Sequence, residues 1–251
     1  VAEKTIFEYE DIKGEALAVP VSNINPYLVD APDLVLEKRN QPICIVPTIS
    51  YGSMANDDGH LLLDKEQRNA LIAAEPATAP YIRRYMGAQE FLNNAERWCL
   101  WLKDISPSLM RSSNELRHRI EAVRKFRASS NREATRNLAA TPSLFGEDRQ
   151  PLKSYLLLPK VSSENRPYMP IGFMPSEVIA NGSALTISDS GHYEMGVLQS
   201  KMHMAWMRAV AGRMKSDYQY SAQIVYNNFP WPDLPEKLEP NQPQTPAHKA
   251  Q

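Results

Sequence analysis

The stretch from Arg213 to Trp231, RMKSDYQYSAQIVYNNFPW, begins where a helical pattern ends and runs into a rigid Phe229-Pro230-Trp231-Pro232 corner. From Asp217 to Tyr226 it is rich in Tyr, Val and Ile, which suit a pleated, half-buried surface, so an extended run is predicted there. Side chains alternate along a strand. Lys215, Asp217 and Gln219 then share one face, and Tyr218 and Tyr220 take the other. At ~3.3 Å rise per residue, members of that row stand about 7 Å apart. A donor, an acceptor and an amide at this interval make a row able to read hydrogen-bonding edges. The plainer reading is a solvated strand face, and the pattern alone leaves both open.

Upstream, Gly191 to Arg213 carries Met195, Leu198, Met202, Ala205, Trp206, Ala209 and Val210 at a 3.6-residue period, which predicts one long helix. Its methionines suit core filling better than a cofactor site. Glu177 to Ile187 reads as a hairpin turning at Asn181-Gly182. Leu156–Val161 and Tyr168–Met174 read as strands around the loop Ser162-Ser163-Glu164-Asn165-Arg166-Pro167. Ser106 to about Ala139 is helical and basic. Arg117, Arg124 and Lys125 fall near one face, Ile120, Val123 and Phe126 form an apolar stripe, and Ser112 with Glu115 fits a capping box. A solvated amphipathic helix and a phosphate-contacting one both satisfy that pattern.

Nearer the start, TIFEYEDI, EALAVPV, DLVLEKR and ICIVPTIS read as short strands punctuated by proline. Asn56-Asp57-Asp58-Gly59 is a turn, Asp64 caps a helix to about Ala74, and Thr78 with Pro80 opens a short helix carrying Tyr81, Ile82 and Tyr85. Phe91 to Leu102 is expected to be core, with Trp98 and Trp101 as its bulk. The predicted class is α+β: a twisted, mostly antiparallel sheet with helices on one side, and a long C-terminal helix followed by a strand.

The 251 residues suffice for one large domain or two small ones, and a net charge of −1 gives no global field to attract a polyanion. Cys44 and Cys99 are too few for a disulfide scaffold, and both read as buried thiols of a reducing compartment. There is no run of 18 apolar residues and no signal peptide, so a cytoplasmic protein without a membrane partner is expected. The chain begins at Val1 without Met. Thr245-Pro246-Ala247 reads as a helix start with too little room before Gln251, so the sequence is taken for a piece of a longer protein.

Several segments together resemble the C-terminal part of MmeI-like restriction–modification enzymes and the related single-chain adenine DNA methyltransferases. They are NINPYLVDAP (23–32), GSMANDDGHLLLD (52–64), the run from Tyr81 to Leu102 ending ERWCLWL, PKVSSENRPYMPIGF (159–173) and GHYEMGVLQSKMHMAWMRAVAGRMKSDYQYSAQIVYNNFPWP (191–232). The resemblance implies that 51–189 is a target-recognition domain and 190–232 its helix–strand extension. Residues 1–50 would join an upstream methyltransferase domain, and 233–251 would be a Pro-rich tail.

It also implies that the chain binds double-stranded DNA for a parent enzyme that methylates adenine N6 with S-adenosylmethionine, with or without a fused nuclease. Base-reading positions carried over from the family fall on Lys160, on Asn181, Gly182 and Ser183, and on Lys215, Asp217 and Gln219. Arg117, Arg124, Lys125 and Arg166 are candidates for the DNA backbone. No catalytic residue, metal ligand or cofactor is expected here. No glycine-rich cofactor loop opens a helix, and Asn25-Pro26-Tyr27 lacks the second proline of the adenine-amine clamp. Asp57, Asp58 and His60 crowd a single turn, where carboxylates usually just solvate the loop. Two rivals remain: a protein–protein scaffold using the Trp/Met-rich helix as its interface, and a self-contained hydrolase around Asp57, Asp58 and His60.

Overall fold

The run Tyr155-Leu156-Leu157-Leu158-Pro159 is buried at every residue and feeds two apolar clusters at once. A computed structural model describes residues 4–232, apart from 12, 26, 27, 29 and 34. The described elements begin with β1 (Lys4–Tyr9), β2 (Ala16–Val21), β3 (Ile49–Tyr51), β4 (Leu62–Leu63) and α1 (Lys65–Ala74). Next come β5 (Ile82–Met86), α2 (Ala88–Asn93), β6 (Trp98–Leu100), α3 (Pro107–Ser112), α4 (Asn114–Ala128) and α5 (Glu133–Asn137). The buried run is β7 (Tyr155–Pro159), followed by β8 (Val161–Ser162), β9 (Gly172–Met174), β10 (Ile179–Ala180) and β11 (Ala184–Ser188). Helices α6 (His192–Leu198) and α7 (Lys201–Val210) lead to β12 (Gly212–Met214) and β13 (Asp217–Gln219).

The described strands form four sheets, ordered β1-β2, β10-β5-β6-β4, β3-β11-β7-β9 and β12-β13-β8. Only β10 with β5 is parallel among the described strand pairs, so the class is α+β with mostly antiparallel sheets, as predicted. Alternation explains why β7 is central. Leu156 and Leu158 join a core with Met204, Met207 and Phe229, whereas Tyr155 and Leu157 face a smaller cluster with Met86 and Ala184. A second large core, holding Leu61, Leu100, Leu116 and Val123, lies under α1 and α4. Met204 and Met207 are core filler, but Met202, Ala205 and Ala209 of the predicted stripe are exposed, because α7 buries the face of His203, Met204, Met207 and Val210 instead.

Several local readings are corrected. The Gly191–Arg213 helix breaks in two, because Ser200 is extended and its hydroxyl accepts from the His203 N–H at 3.1 Å, starting a new helix. Helix α4 is capped by Ser113 rather than Ser112, and the Glu75 carboxylate reinforces that end by accepting from the N–H groups of Asn114 and Glu115 at 3.1 and 3.2 Å. Its apolar stripe is Leu116, Ile120 and Val123 with the fully buried Arg127, and Phe126 is exposed. Ile82 and Tyr85 lie on β5, after a 3₁₀ turn at Pro76–Tyr81. Of Phe91–Leu102, the buried members are Cys99, Leu100 and Leu102, with Trp98 and Trp101 half-buried. Cys44 is half-buried as well.

Asn181-Gly182 does turn the chain, but not into a hairpin: β10 pairs with β5 and β11 with β3 and β7, so the turn hands the chain from one sheet to another. The strand predicted over 217–226 stops at Gln219. Ser221 caps a wide turn at Ala222–Tyr226, whose Asn227 N–H reaches back to the Ala222 carbonyl at 2.9 Å. Burial of Val225 and Tyr226 overrides their strand preference. Described residues of DLVLEKR and most of ICIVPTIS form no strand either. Asn227 and Asn228 donate to the carbonyls of Arg39 and Glu37 at 2.7 and 3.0 Å, satisfying backbone that would otherwise need a ladder. Tyr168–Ile171 likewise lies outside β9.

Candidate nucleic-acid interface

Lys160 sits between β7 and β8, and its backbone joins three distant segments. Its N–H donates to the Ser183 carbonyl at 3.1 Å, and its carbonyl accepts from the Tyr220 N–H at 2.7 Å. In register, Gln219 pairs with Val161 and Tyr218 with Ser162. The turn at 181–183, Lys160 and the end of β13 therefore lie edge to edge, at the ~4.8 Å spacing of neighbouring strands. Asp217 and Gln219 share a face as expected, with Gln219 exposed and Asp217 half-buried; Tyr218 and Tyr220 point inward and are buried. Lys215 departs from the expected row. It occupies a two-residue turn between β12 and β13 with φ of 57°, exposed at the hairpin tip.

This edge is held from below. The His203 Nε2 lies 3.0 Å from the Tyr220 hydroxyl, and its ring meets Phe229 edge-on at 4.5 Å. Burial lowers the His203 pKa to about 4, so the ring is neutral at pH 7, and burial drives the Tyr220 phenol well up. On the flank, the Lys160 ammonium stands 4.7 Å from the centre of the Tyr51 ring, which the Arg149 guanidinium also approaches at 5.9 Å.

The turn residues divide their roles. Asn181 is buried, and its Oδ1 accepts from the Ser183 N–H and hydroxyl at 2.8 and 2.6 Å. Glycines make room for it: a Cβ at Gly52 would come within 2.3 Å of the Asn181 carbonyl oxygen, and one at Gly87 within 2.1 Å of its Nδ2. The Ser183 hydroxyl also accepts from the Ala88 N–H at 3.0 Å, although the residue itself is exposed. Beside the turn runs an open groove of about 290 Å³, lined by Met54, Asn56, Tyr85, Arg97 and Gly182 among others.

The basic helix is less uniformly free than its sequence suggests. Arg117, Arg124 and Lys125 are exposed, but Arg117 donates to Asn114 at 2.5 Å and Arg124 pairs with Glu121 at 3.1 Å. Arg119 turns inward to the His60 carbonyl, and Arg127 is wholly buried. Arg166 is half-buried in the turn after Ser163. Among the described residues no group of three or more His, Cys, Asp or Glu is placed to hold a metal. The Asp57 carboxylate instead accepts from the Leu61 N–H at 2.5 Å.

Residues 30–233 match the family described as MmeI, target recognition domain. The chain belongs to that family. Among relatives of the MmeI target recognition domain, DNA methyltransferase A of Bacillus subtilis (strain 168) is 38% identical over 214 residues, covering 85% of this chain and 24% of that protein. The Type IIL restriction–modification enzyme MmeI, whose structure was solved in complex with DNA, superposes with a TM-score of 0.90 at 45% identity, over 94% of this chain and 32% of the other. The chain thus spans about a quarter of one relative and a third of the other. In this member of the family, sequence reasoning missed Tyr51 and Arg213, which touch the edge through Lys160 and through the hairpin. An exposed tyrosine far upstream and an arginine at a helix end carry no local signal for either contact.

Proposed function

We propose that this chain reads double-stranded DNA sequence for a cytoplasmic enzyme that methylates adenine N6 using S-adenosylmethionine. The observation that carries this reading is the backbone junction at Lys160, which lays three separated polar segments along one edge. The major groove offers each base pair a distinct donor and acceptor pattern. A lysine, having only donors, suits guanine O6 and N7; a carboxylate, having only acceptors, suits the cytosine amine; Gln219 suits adenine. Arg117, Arg124, Lys125 and Arg166 hold phosphates, and Asn181 and Ser183 shape the neighbouring contact.

MmeI was solved with DNA, and the Bacillus subtilis relative is a DNA methyltransferase; both support the reading. Residues 51–189 and 190–232 act as one recognition unit, and residues 1–50 lead to an upstream methyltransferase domain that extrudes the adenine. Cofactor binding belongs to that domain.

The test is the recognition sequence of the full-length enzyme carrying Lys215→Glu with Asp217→Arg, obtained by sequencing its methylated sites. Exchanging the donor and acceptor chemistry should invert G·C to C·G at one position and leave the others alone. An unaltered recognition sequence would remove both residues from the reading set.

A further inference from the structure

We infer that Arg213 is a positioning residue for base reading: it clamps the hairpin tip so that Lys215 projects in a single direction. This rests on the reading of Lys215 as a base contact. The tip is a two-residue turn, Lys215-Ser216, between Met214 and Asp217. Such turns favour glycine or asparagine where φ is positive, yet Lys215 holds a φ of 57°. A lysine stays in that region only when its surroundings over-determine it.

Arg213 supplies the determination through three contacts. Its Nη1 donates to the Ser216 carbonyl at 2.8 Å, inside the turn itself. Its guanidinium lies 3.8 Å from the centre of the Tyr218 ring, a cation–π contact that fixes its plane. The same Nη1 stands 3.7 Å from the Glu164 carboxylate, tying the tip to the loop between β8 and β9. Because Arg213 is paired with Tyr218 in the ladder, both side chains leave the face opposite Asp217 and Gln219. Arg213 therefore cannot join the reading row, and acts on it through the turn. The Lys215 ammonium has no ion-pair partner among the described residues, so the backbone sets its direction. Arginine is needed rather than lysine, since one planar group must stack and donate at once.

The experiment uses the full-length enzyme and sequencing of its methylated sites, with Arg213→Ala, Lys215→Ala and the double variant. Arg213→Ala should relax discrimination about tenfold at the single base pair assigned to Lys215, within the range one good base contact supplies. Other positions should be unchanged. In the Lys215→Ala background, removing Arg213 should have no further effect on specificity. Arg213→Lys, which keeps the charge beside Glu164, should relax the same position, and it carries the test if the alanine variant fails to fold. Relaxation at several positions, or an effect that persists without Lys215, would overturn the clamp. A Lys215→Ala enzyme with unaltered specificity would overturn the base contact itself, and the clamp with it.

Discussion

The lobe under α4 and the edge at β13 handle polar groups in opposite ways. Under α4, polar side chains are turned inward onto backbone. Arg127, fully buried, donates to the carbonyls of Ala55, Asn56, Leu138, Thr141 and Leu144 at 2.8 to 3.0 Å, and burial pulls its pKa down. Asp57 and Glu75 likewise close a turn and cap a helix. At the edge, backbone pairs with backbone apart from Arg213, which donates to the Ser216 carbonyl, and the side chains of Lys215, Asp217 and Gln219 are left for something else. Charge that rigidifies one region is unavailable for recognition, and charge kept for recognition adds little rigidity. The two regions should therefore separate cleanly under mutation.

The largest effect falls on the scaffold. Arg127→Met removes five hydrogen bonds that a wholly buried guanidinium makes to backbone carbonyls and should cost ~3–5 kcal/mol of stability, read from urea melts of the chain. The full-length enzyme carrying it should keep its recognition sequence at permissive temperature. A changed sequence would mean the lobes are not separate.

His203 sharpens the comparison from beneath the edge. Its ring stays neutral in the folded chain down to about pH 4, whereas in the unfolded chain it protonates near its ordinary value of about 6.5. Between those values the unfolded state binds more protons, so stability falls as pH falls, by up to about 3 kcal/mol, and this contribution is flat above the window. Urea midpoints at pH 7 and 4.5 should differ less for His203→Gln than for the parent chain. Equal differences would place the acid sensitivity elsewhere.

A smaller effect is expected at Tyr51. Tyr51→Leu removes the ring beside Lys160 and should weaken discrimination at one base pair by about 1 kcal/mol, the worth of an exposed cation–π contact, whereas Tyr51→Phe should preserve it. Methylated-site sequencing distinguishes the two. Smallest per residue, replacing Arg117, Arg124 and Lys125 together should weaken all duplexes alike and lower the salt slope by up to ~0.9 per lost phosphate contact. An unchanged slope would mark α4 as scaffold on both faces.

Features set by local chemistry were legible in the sequence. The α1 start needs only Asp64 and Gln67, which exchange bonds at 2.7 and 3.1 Å, and the apolar run at β7 needs only its composition. Features decided at a distance were not. Ser112 and Ser113 are equivalent as caps until Glu75 arrives from another helix. Asn181-Gly182 signals a turn but not which sheets receive the strands. The inward row Tyr218 and Tyr220 followed from alternation, and so did the pairing of Asp217 with Gln219. Lys215 escaped because a Lys-Ser turn with positive φ has no sequence signature, and Arg127 because its partners are backbone carbonyls spread over residues 55–144.

The asparagine clasp on Glu37 and Arg39 has a consequence for synthesis. Arg39 bonds Asn228 across a separation of 189 residues, and the ring closes only when both are available. At ~5–20 residues per second the ribosome needs about 10–40 s to deliver the second partner after the first. During that interval the 37–43 segment is unlatched, with its backbone groups in water. A nascent chain stalled before Asn227 should expose this segment to protease, and one stalled well past Trp231 should not.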